Sequence, residues 1–567
     1  MKKSAFKKVT AAVISAAMLA AAAATANAAE IDKPSVKAVT VSQPTTTYED
    51  YLEGKVEMDE NSGVKIAPYA SKGTVIEPSE ALPSAYKSVC TPIRDQGSYN
   101  TCWAFSAMGA MESFLAKDGK GLKDLSEQHL SWWSTKQYNS NGIGWLQDGL
   151  DSGGYSMIGA GYLASWQGAK LESDLPYYTG GNQLPGNMDS VANSYNATGI
   201  VYVSSDINSV KQAVYQYGAV STSFNSGGYY NDDLSAYYQP DETYLFSGHA
   251  ITIVGWDDNY SRNNFDSSCR PSYDGAWLVK NSWGDDVGDD GYLWISYYDR
   301  YILDPNTWGI SFAVTGARTA TGFDRLYQNE EYGATYQTAL YDYNSGEYMQ
   351  EVTFANVFDF DSEHNKLQKV IFQTETMNAD YDVYYIPVSN GKPVSDKSKW
   401  VSIGSGTSSS SGYISVDTGA YPLPSGKGAV AVTIKAQAGE YASIGVDEWL
   451  TDADGNFLFM PDQKRNESFV ISGGDVYDLV DVYAVNEDDI GGTLVIKALA
   501  TTNVVGDINL DGRITALDGQ VVLRNAVGAY ALSGEVLTNA DANYDGRVTV
   551  ADAMLVLRKA VAAISDF

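Results

Sequence analysis

The sequence predicts three folded units in series: an α+β domain over 84–318, an all-β sandwich over 322–500 and a small α unit over 504–567. Three observations carry that prediction. From Leu82-Pro83 to about Ala317 the chain has a helix-then-strand texture. From about Gly322 to Ala500 it changes to short alternating runs between Gly, Ser, Asn and Asp turns. The last stretch repeats itself with a 34-residue period, Asp507-Ile508-Asn509-Leu510-Asp511-Gly512-Arg513 returning as Asp541-Ala542-Asn543-Tyr544-Asp545-Gly546-Arg547. At 567 residues the chain exceeds what one hydrophobic core serves.

Two segments precede these units. Residues 1–28 read as a signal peptide. Lys2, Lys3, Lys7 and Lys8 form a basic start, Val9 to Ala24 is small and apolar, and Ala26-Asn27-Ala28 fits a cleavage site. The expectation is an exported, extracellular protein. Residues 29–83 are polar with little periodicity and read as a pro-segment or a disordered linker. No other run approaches ~18 apolar residues, so no membrane span is expected. The net charge of −32 comes with no basic stripe, which excludes a nucleic-acid binder. Three cysteines do not make a disulfide scaffold, and Cys90 and Cys269 read as a disulfide pair or as two buried thiols.

In the first domain, Thr101 to Phe114 is small and apolar and predicts a buried helix. Cys102 stands at its start, after Gly97 and a polar run. The positive end of the helix dipole favours a thiolate there. A thiolate needs a cationic partner, and the chain has three histidines. His129 lies in a helix start with Ser126 as N-cap, and His364 lies in the β-rich domain. His249 opens the apolar run Gly248 to Trp256, a predicted buried strand, and is the candidate base. Asn281, at the end of the run Ala276 to Trp283, can orient it.

Three segments carry a resemblance. Gln96-Gly97-Ser98-Tyr99-Asn100-Thr101-Cys102-Trp103-Ala104-Phe105-Ser106, Ser247-Gly248-His249-Ala250-Ile251-Thr252-Ile253-Val254-Gly255-Trp256 and Lys280-Asn281-Ser282-Trp283-Gly284 are similar to motifs of the papain family, in that family's order. Leu125-Ser126-Glu127-Gln128 and Gly153-Gly154-Tyr155 agree with it. The resemblance implies a papain-like cysteine peptidase. It implies that Cys102 attacks the peptide carbonyl, that His249 carries the proton and that Asn281 orients His249. Gln96 and the Cys102 N–H would form the oxyanion hole. Trp283 would cover the His–Asn bond, and Gly153 and Gly154 would offer backbone to an extended substrate, with Ser156 and Met157 near its S2 side chain. The sequence departs from the family at Tyr99 and Asp151, where a disulfide usually stands. No catalytic cofactor is implied.

The C-terminal repeat reads as two Ca²⁺ loops. Asp507, Asn509, Asp511, Arg513 (through its carbonyl), Thr515 and Asp518 supply one, and Asp541, Asn543, Asp545, Arg547, Thr549 and Asp552 the other. Each precedes an apolar helix, Gly519 to Val527 and Ala553 to Ala562. This resembles a type I dockerin, which implies two structural Ca²⁺ ions and a cohesin partner on a cellulosome-type scaffold. Ala516, Leu517, Arg524, Val550, Ala551 and Arg558 would face the cohesin. The middle domain resembles the lectin-like domain that follows some prokaryotic papain-type peptidases, most closely at Ala355-Asn356-Val357-Phe358. No sugar-binding constellation stands out in it. The leading expectation is a scaffold-docked endopeptidase. The alternative is an inert papain-fold binding or adhesion subunit of the same assembly, and intact Gln96, Cys102, His249 and Asn281 favour the first.

Overall fold

A computed structural model describes residues 36–40, 73–76, 81–134, 153–177, 191–241, 248–320, 324–448, 450–451, 457–459, 464–483, 492–502, 505–509, 514–543 and 545–561. The expected signal peptide, most of 29–83, Asp151 and the loop residues 510–513 lie outside them.

Within the pro-segment, β1 (Val36–Thr40) pairs antiparallel with the strand Tyr336–Asp342 of the β-rich domain. Further on, Thr74 N–H donates to Tyr202 O at 2.6 Å and Ser411 N–H donates to Thr74 Oγ1 at 2.8 Å. These parts are not a featureless linker. Edge pairing uses backbone groups, so it leaves no side-chain period to read.

α1 (Cys102–Lys117) forms as expected. Its sixteen residues contain neither Pro nor a β-branched side chain, and Trp103 through Leu115 are buried. Burial on every side makes it the central helix of the first domain. α2 (Glu127–Trp133) is capped by Ser126, whose Oγ accepts from His129 N–H at 3.2 Å. α3 (Ser156–Ala164) is buried throughout and packs on α1. Against these helices stand β2 (Tyr195–Tyr202), β3 (Val220–Asn225), β4 (Gly248–Asp257), β5 (Ala276–Lys280) and β6 (Phe312–Thr319). β3, β4 and β5 are neighbours in antiparallel register, with Phe224 opposite His249 and Thr252 opposite Lys280.

The second domain is the expected antiparallel sandwich. One layer contains β7 (Lys366–Thr374), β8 (Gly412–Pro422) and β9 (Ile496–Thr501), and the other is a seven-stranded sheet. Phe354, Val430 and Val432 of the second layer meet Leu367, Val370, Phe372 and Ile496 of the first. Asn356 is fully buried between the layers. Its amide donates to Leu494 O at 2.8 Å and Ile496 O at 2.9 Å, and accepts from Ser468 Oγ at 2.7 Å. The local likeness at 355–358 therefore marks a polar bolt through the sandwich.

The two domains are not separate bodies. β8 pairs with β2 at Gly412↔Val201 and Tyr413↔Ile200, so one 13-stranded sheet runs through both domains among the described residues. They also share a core. Tyr332, Ala334, Ile371, Tyr413 and Val495 of the second domain are buried with Trp103, Met157, Leu163, Ile200 and Phe312 of the first. A Cβ on Gly412 would lie 2.3 Å from Ile200 O, so only glycine lets the strands approach this closely.

In the C-terminal unit, α4 (Ala516–Ala526) and α5 (Val550–Ala560) pack together over Ile508, Val522, Ala540, Ala542, Ala553 and Val556. Both helices begin three residues before the expected apolar runs, because Thr515 and Thr549 cap them in reciprocal boxes with Asp518 and Asp552. A short helix, Gly534–Ala540, lies between them and had no counterpart in the sequence reading.

Candidate active site and metal loops

Cys102 is the first residue of α1 and Thr101 is the N-cap. The Cys102 thiol sits against the mouth of β4, where Ala250 N–H points to Sγ at 3.4 Å. His249, one residue earlier, is buried at 5% exposure. Its Nε2 lies 2.7 Å from Asn281 Oδ1. An amide oxygen only accepts, so Nε2 carries the proton and Nδ1 is the nitrogen left for other work. Trp283 stacks on the imidazole with ring centroids 4.4 Å apart and planes 25° apart. The edge of Phe224 closes another side at 5.8 Å. The two strand ends and the helix start thus bring the expected residues together from positions 147 and 179 apart from Cys102.

The other histidines are engaged elsewhere. His129 Nδ1 lies 2.6 Å from the Tyr162 hydroxyl in the core, and His364 Nδ1 lies 2.9 Å from Asp361. Cys90 and Cys269 are free thiols in separate apolar clusters, so no disulfide joins them.

Burial pushes the Cys102 thiol up, against hydrogen bonds from backbone N–H groups that lower it. Burial also pushes His249 down to about 4, with the Asn281 bond acting the other way. A charge on one group would favour ionisation of the other, against the burial that holds both neutral.

Gln96 is buried at 6% exposure and clamped on three sides. Its N–H donates to Ser282 O at 2.8 Å, its Oε1 accepts from Ser282 Oγ at 2.7 Å and its Nε2 donates to Tyr99 O at 2.7 Å. One amide hydrogen remains for a ligand. Ser282 had no assigned role in the sequence reading, although it stands inside the quoted Lys280-to-Gly284 motif. Below the site, Lys280 Nζ donates to Thr91 Oγ1 at 2.6 Å and pairs with the buried Glu112 at 3.4 Å.

Gly153 has φ +71, and a Cβ on Gly154 would lie 2.5 Å from the Trp103 ring. This edge can therefore run close beside Trp103 only if residue 154 lacks a side chain. Ser156 and Met157 open α3 and are buried at 2% and 4%, so neither offers an exposed surface to a groove.

In the second C-terminal loop, Asp541 accepts from Asp545 N–H at 3.1 Å and Gly546 N–H at 2.8 Å. Asn543 Oδ1 accepts from Asp545 N–H at 3.0 Å, and Asp545 from Arg547 N–H at 2.9 Å. Gly546, sixth in the loop, has φ +81, the sharp turn a Ca²⁺ loop requires there. The oxygen donor set and this turn fit Ca²⁺. Asp552 and Asp518 are buried and accept from Thr549 and Thr515 N–H, both at 2.8 Å, which ties each loop to its helix. In the first loop Asp507, Asn509, Thr515 and Asp518 are described, and Asp511 and Arg513 are not. Among the described residues no three acidic, Cys or His side chains converge tightly enough to hold an ion by themselves. Ala516, Leu517, Arg524, Val550, Ala551 and Arg558 are all exposed.

Comparison with known proteins agrees with this division. The profile of papain family cysteine proteases matches residues 78–314, that of the lectin-like domain 326–500 and that of the type I dockerin domain 505–559. The solved cysteine protease and lectin-like domains of Cwp84, a surface layer associated protein of Clostridium difficile, are 34% identical. That match covers 84% of this chain and 100% of that one, with a TM-score of 0.71. Clostridial cysteine protease Cwp84 after propeptide cleavage is 36% identical over 74% of this chain and 100% of that one, with a TM-score of 0.66. Among curated proteins, digestive cysteine proteinase 3 of Homarus americanus is 30% identical over 37% of this chain, and cathepsin S of Bos taurus 30% over 38%. The chain spans 59% and 61% of the lengths of these two relatives.

Proposed function

The chain belongs to the papain family of cysteine proteases, and from that premise we propose that it is an exported endopeptidase docked on a scaffold. Cys102 thiolate attacks the carbonyl carbon of the scissile bond. Gln96 Nε2 and the Cys102 N–H hold the oxyanion. His249 gives its Nδ1 proton to the leaving amine, then takes one from the water that hydrolyses the acyl-enzyme. The substrate backbone runs along Gly153 and Gly154. The observation that carries this reading is the buried His249–Asn281 bond of 2.7 Å beneath Trp283, beside a helix-start thiol. Labelling with an epoxide-type thiol inhibitor, mapped by mass spectrometry, tests it. Adducts on Cys102 are expected, and adducts only on Cys90 or Cys269 would end it.

The same pairing sets a pH expectation. In His249→Ala the thiol loses its counter-charge while burial still holds its pKa up. A buried thiol with no cation beside it is almost wholly protonated at pH 6. Alkylation of Cys102 by iodoacetamide at pH 6 should therefore fall by about 100-fold. An unchanged rate would mean that His249 does not hold the charge.

The basic, apolar start of the chain supports export, and the cleaved propeptide of the Cwp84 relative supports reading residues 29–83 as a pro-segment. For docking, the residues of both C-terminal loops would hold two Ca²⁺ ions, which supply charge neutralisation and no catalysis. Without them three carboxylates per loop repel one another around a small core. The exposed positions on α4 and α5 form two similar faces for a cohesin, and the repeat allows either to be used. EDTA should abolish cohesin capture of the full chain while hydrolysis of small peptides stays within about twofold, since the peptidase site needs no metal. Capture that survives EDTA would sink the Ca²⁺ role.

A further inference from the structure

We propose that Tyr177 is a positioning residue that sets the spacing between the two oxyanion donors, Gln96 and Cys102. The proposal rests on the oxyanion role assigned to those residues above.

Tyr177 closes the run Leu175-Pro176-Tyr177 and stands outside all of the motifs that identify the site. Its hydroxyl donates to Gln96 O at 3.0 Å. A phenol has one proton, so the contact of 2.6 Å with Thr101 Oγ1 runs the other way, with the threonine donating. Thr101 immediately precedes Cys102. One hydroxyl thus ties together the first residue of the Gln96-to-Cys102 loop and the last residue before the nucleophile. Thr101 is the N-cap of α1 without a side-chain bond to the helix, because its hydroxyl is committed to Tyr177.

The ring is itself fixed. Its edge meets Phe105, one turn into α1, with centroids 4.8 Å apart and planes at 73°. Its backbone N–H donates to Glu172 Oε1 at 2.8 Å. Glu172 in turn lies 3.8 Å from Arg94, which pairs with Asp124. The Gln96 side chain is held by Ser282 and Tyr99, which orient the amide. Neither bond fixes how far that amide stands from the Cys102 N–H. The Tyr177 bridge crosses the loop, from Gln96 O to Thr101 Oγ1. Two donors acting on one oxygen must be placed to a fraction of an ångström, and a glycine- and serine-containing loop does not hold such a spacing unaided.

The test uses full-length wild type, Tyr177→Phe, Gln96→Ala and the double variant. Tyr177→Phe keeps the ring and removes both hydroxyl bonds. It should lower kcat about 10-fold with KM within about twofold. Gln96→Ala should lower kcat by about 10²–10³. If Tyr177 acts through Gln96, the double variant should be no slower than Gln96→Ala alone. Iodoacetamide alkylation of Cys102, which uses no oxyanion hole, should be unchanged in Tyr177→Phe. A further 10-fold loss in the double variant, a change in KM alone, or slowed alkylation would each overturn the proposal. If Gln96→Ala leaves kcat unchanged, the oxyanion reading itself fails, and a lowered kcat in Tyr177→Phe would then show that Tyr177 acts by another route.

Discussion

Cys102→Ala is expected to abolish peptide hydrolysis and to leave the chain folded. The reaction needs a nucleophile that leaves again, and a methyl group is none. Losing the nucleophile of a three-residue site costs about 10⁶ in kcat in a comparable hydrolase, with the residue left to the oxyanion donors. The structural cost is small by contrast. The Cys102 side chain is small, and its bond from Ala250 N–H is long, 3.4 Å. Alanine has the higher helix propensity and suits the start of α1. The expected stability change is within about 1 kcal/mol. Assay on a fluorogenic peptide alongside thermal unfolding checks both halves. Appreciable activity in a fully folded variant would remove Cys102 from the mechanism and leave the inert binding subunit as the better reading.

A chain ended after Thr319 is expected not to fold to an active peptidase. The profile boundaries at 314 and 326 would suggest a clean cut there, yet the packing does not respect it. Tyr332, Ile371, Tyr413 and Val495 are almost wholly buried in the same cluster as Trp103 and Met157. Each large apolar side chain contributes about 1.5–3 kcal/mol on burial, so four amount to about 6–12 kcal/mol. That is the size of a domain's whole net stability, about 5–15 kcal/mol. The cut also bares the edge of β2 where β8 pairs, an open template for aggregation. It removes Gln328, whose amide donates to Ser165 O at 3.0 Å at the end of α3, and with it the fully buried Lys497–Glu330 pair. Expression of 84–319 should yield insoluble or molten material, recovered in part by co-expression of 320–502. A soluble, monomeric fragment with wild-type unfolding temperature and activity would refute the shared core. Gly412→Val in the full chain is a finer probe. It places a side chain against Ile200 O at φ +120, and should lower stability by about 2–4 kcal/mol.

The features legible along the chain are those that depend on local chemistry. The helix starting at Cys102, the cap at Ser126, the buried strands at His249 and before Asn281, and the duplicated loops each follow from residues within a few positions of one another. Local rules of propensity, capping and turn geometry act on that scale. The candidate site is legible because three segments each carry a recognisable residue order, and because two of the three histidines have another evident place. The rest depends on contacts between distant parts of the chain. Ser282 on Gln96 and Tyr177 across the Gln96–Cys102 loop are contacts spanning 186 and 81 positions, with no local pattern to announce them. The pairing of β1 with the second domain uses backbone groups alone. The join between the first two domains was read as a boundary because composition changes there. The limits of the two family matches, 314 and 326, fall at the same place, and what the sequence leaves open is how the domains pack: apolar residues such as Tyr332 and Tyr413 look like any sandwich core in sequence, and which core they fill depends on how the two sheets meet.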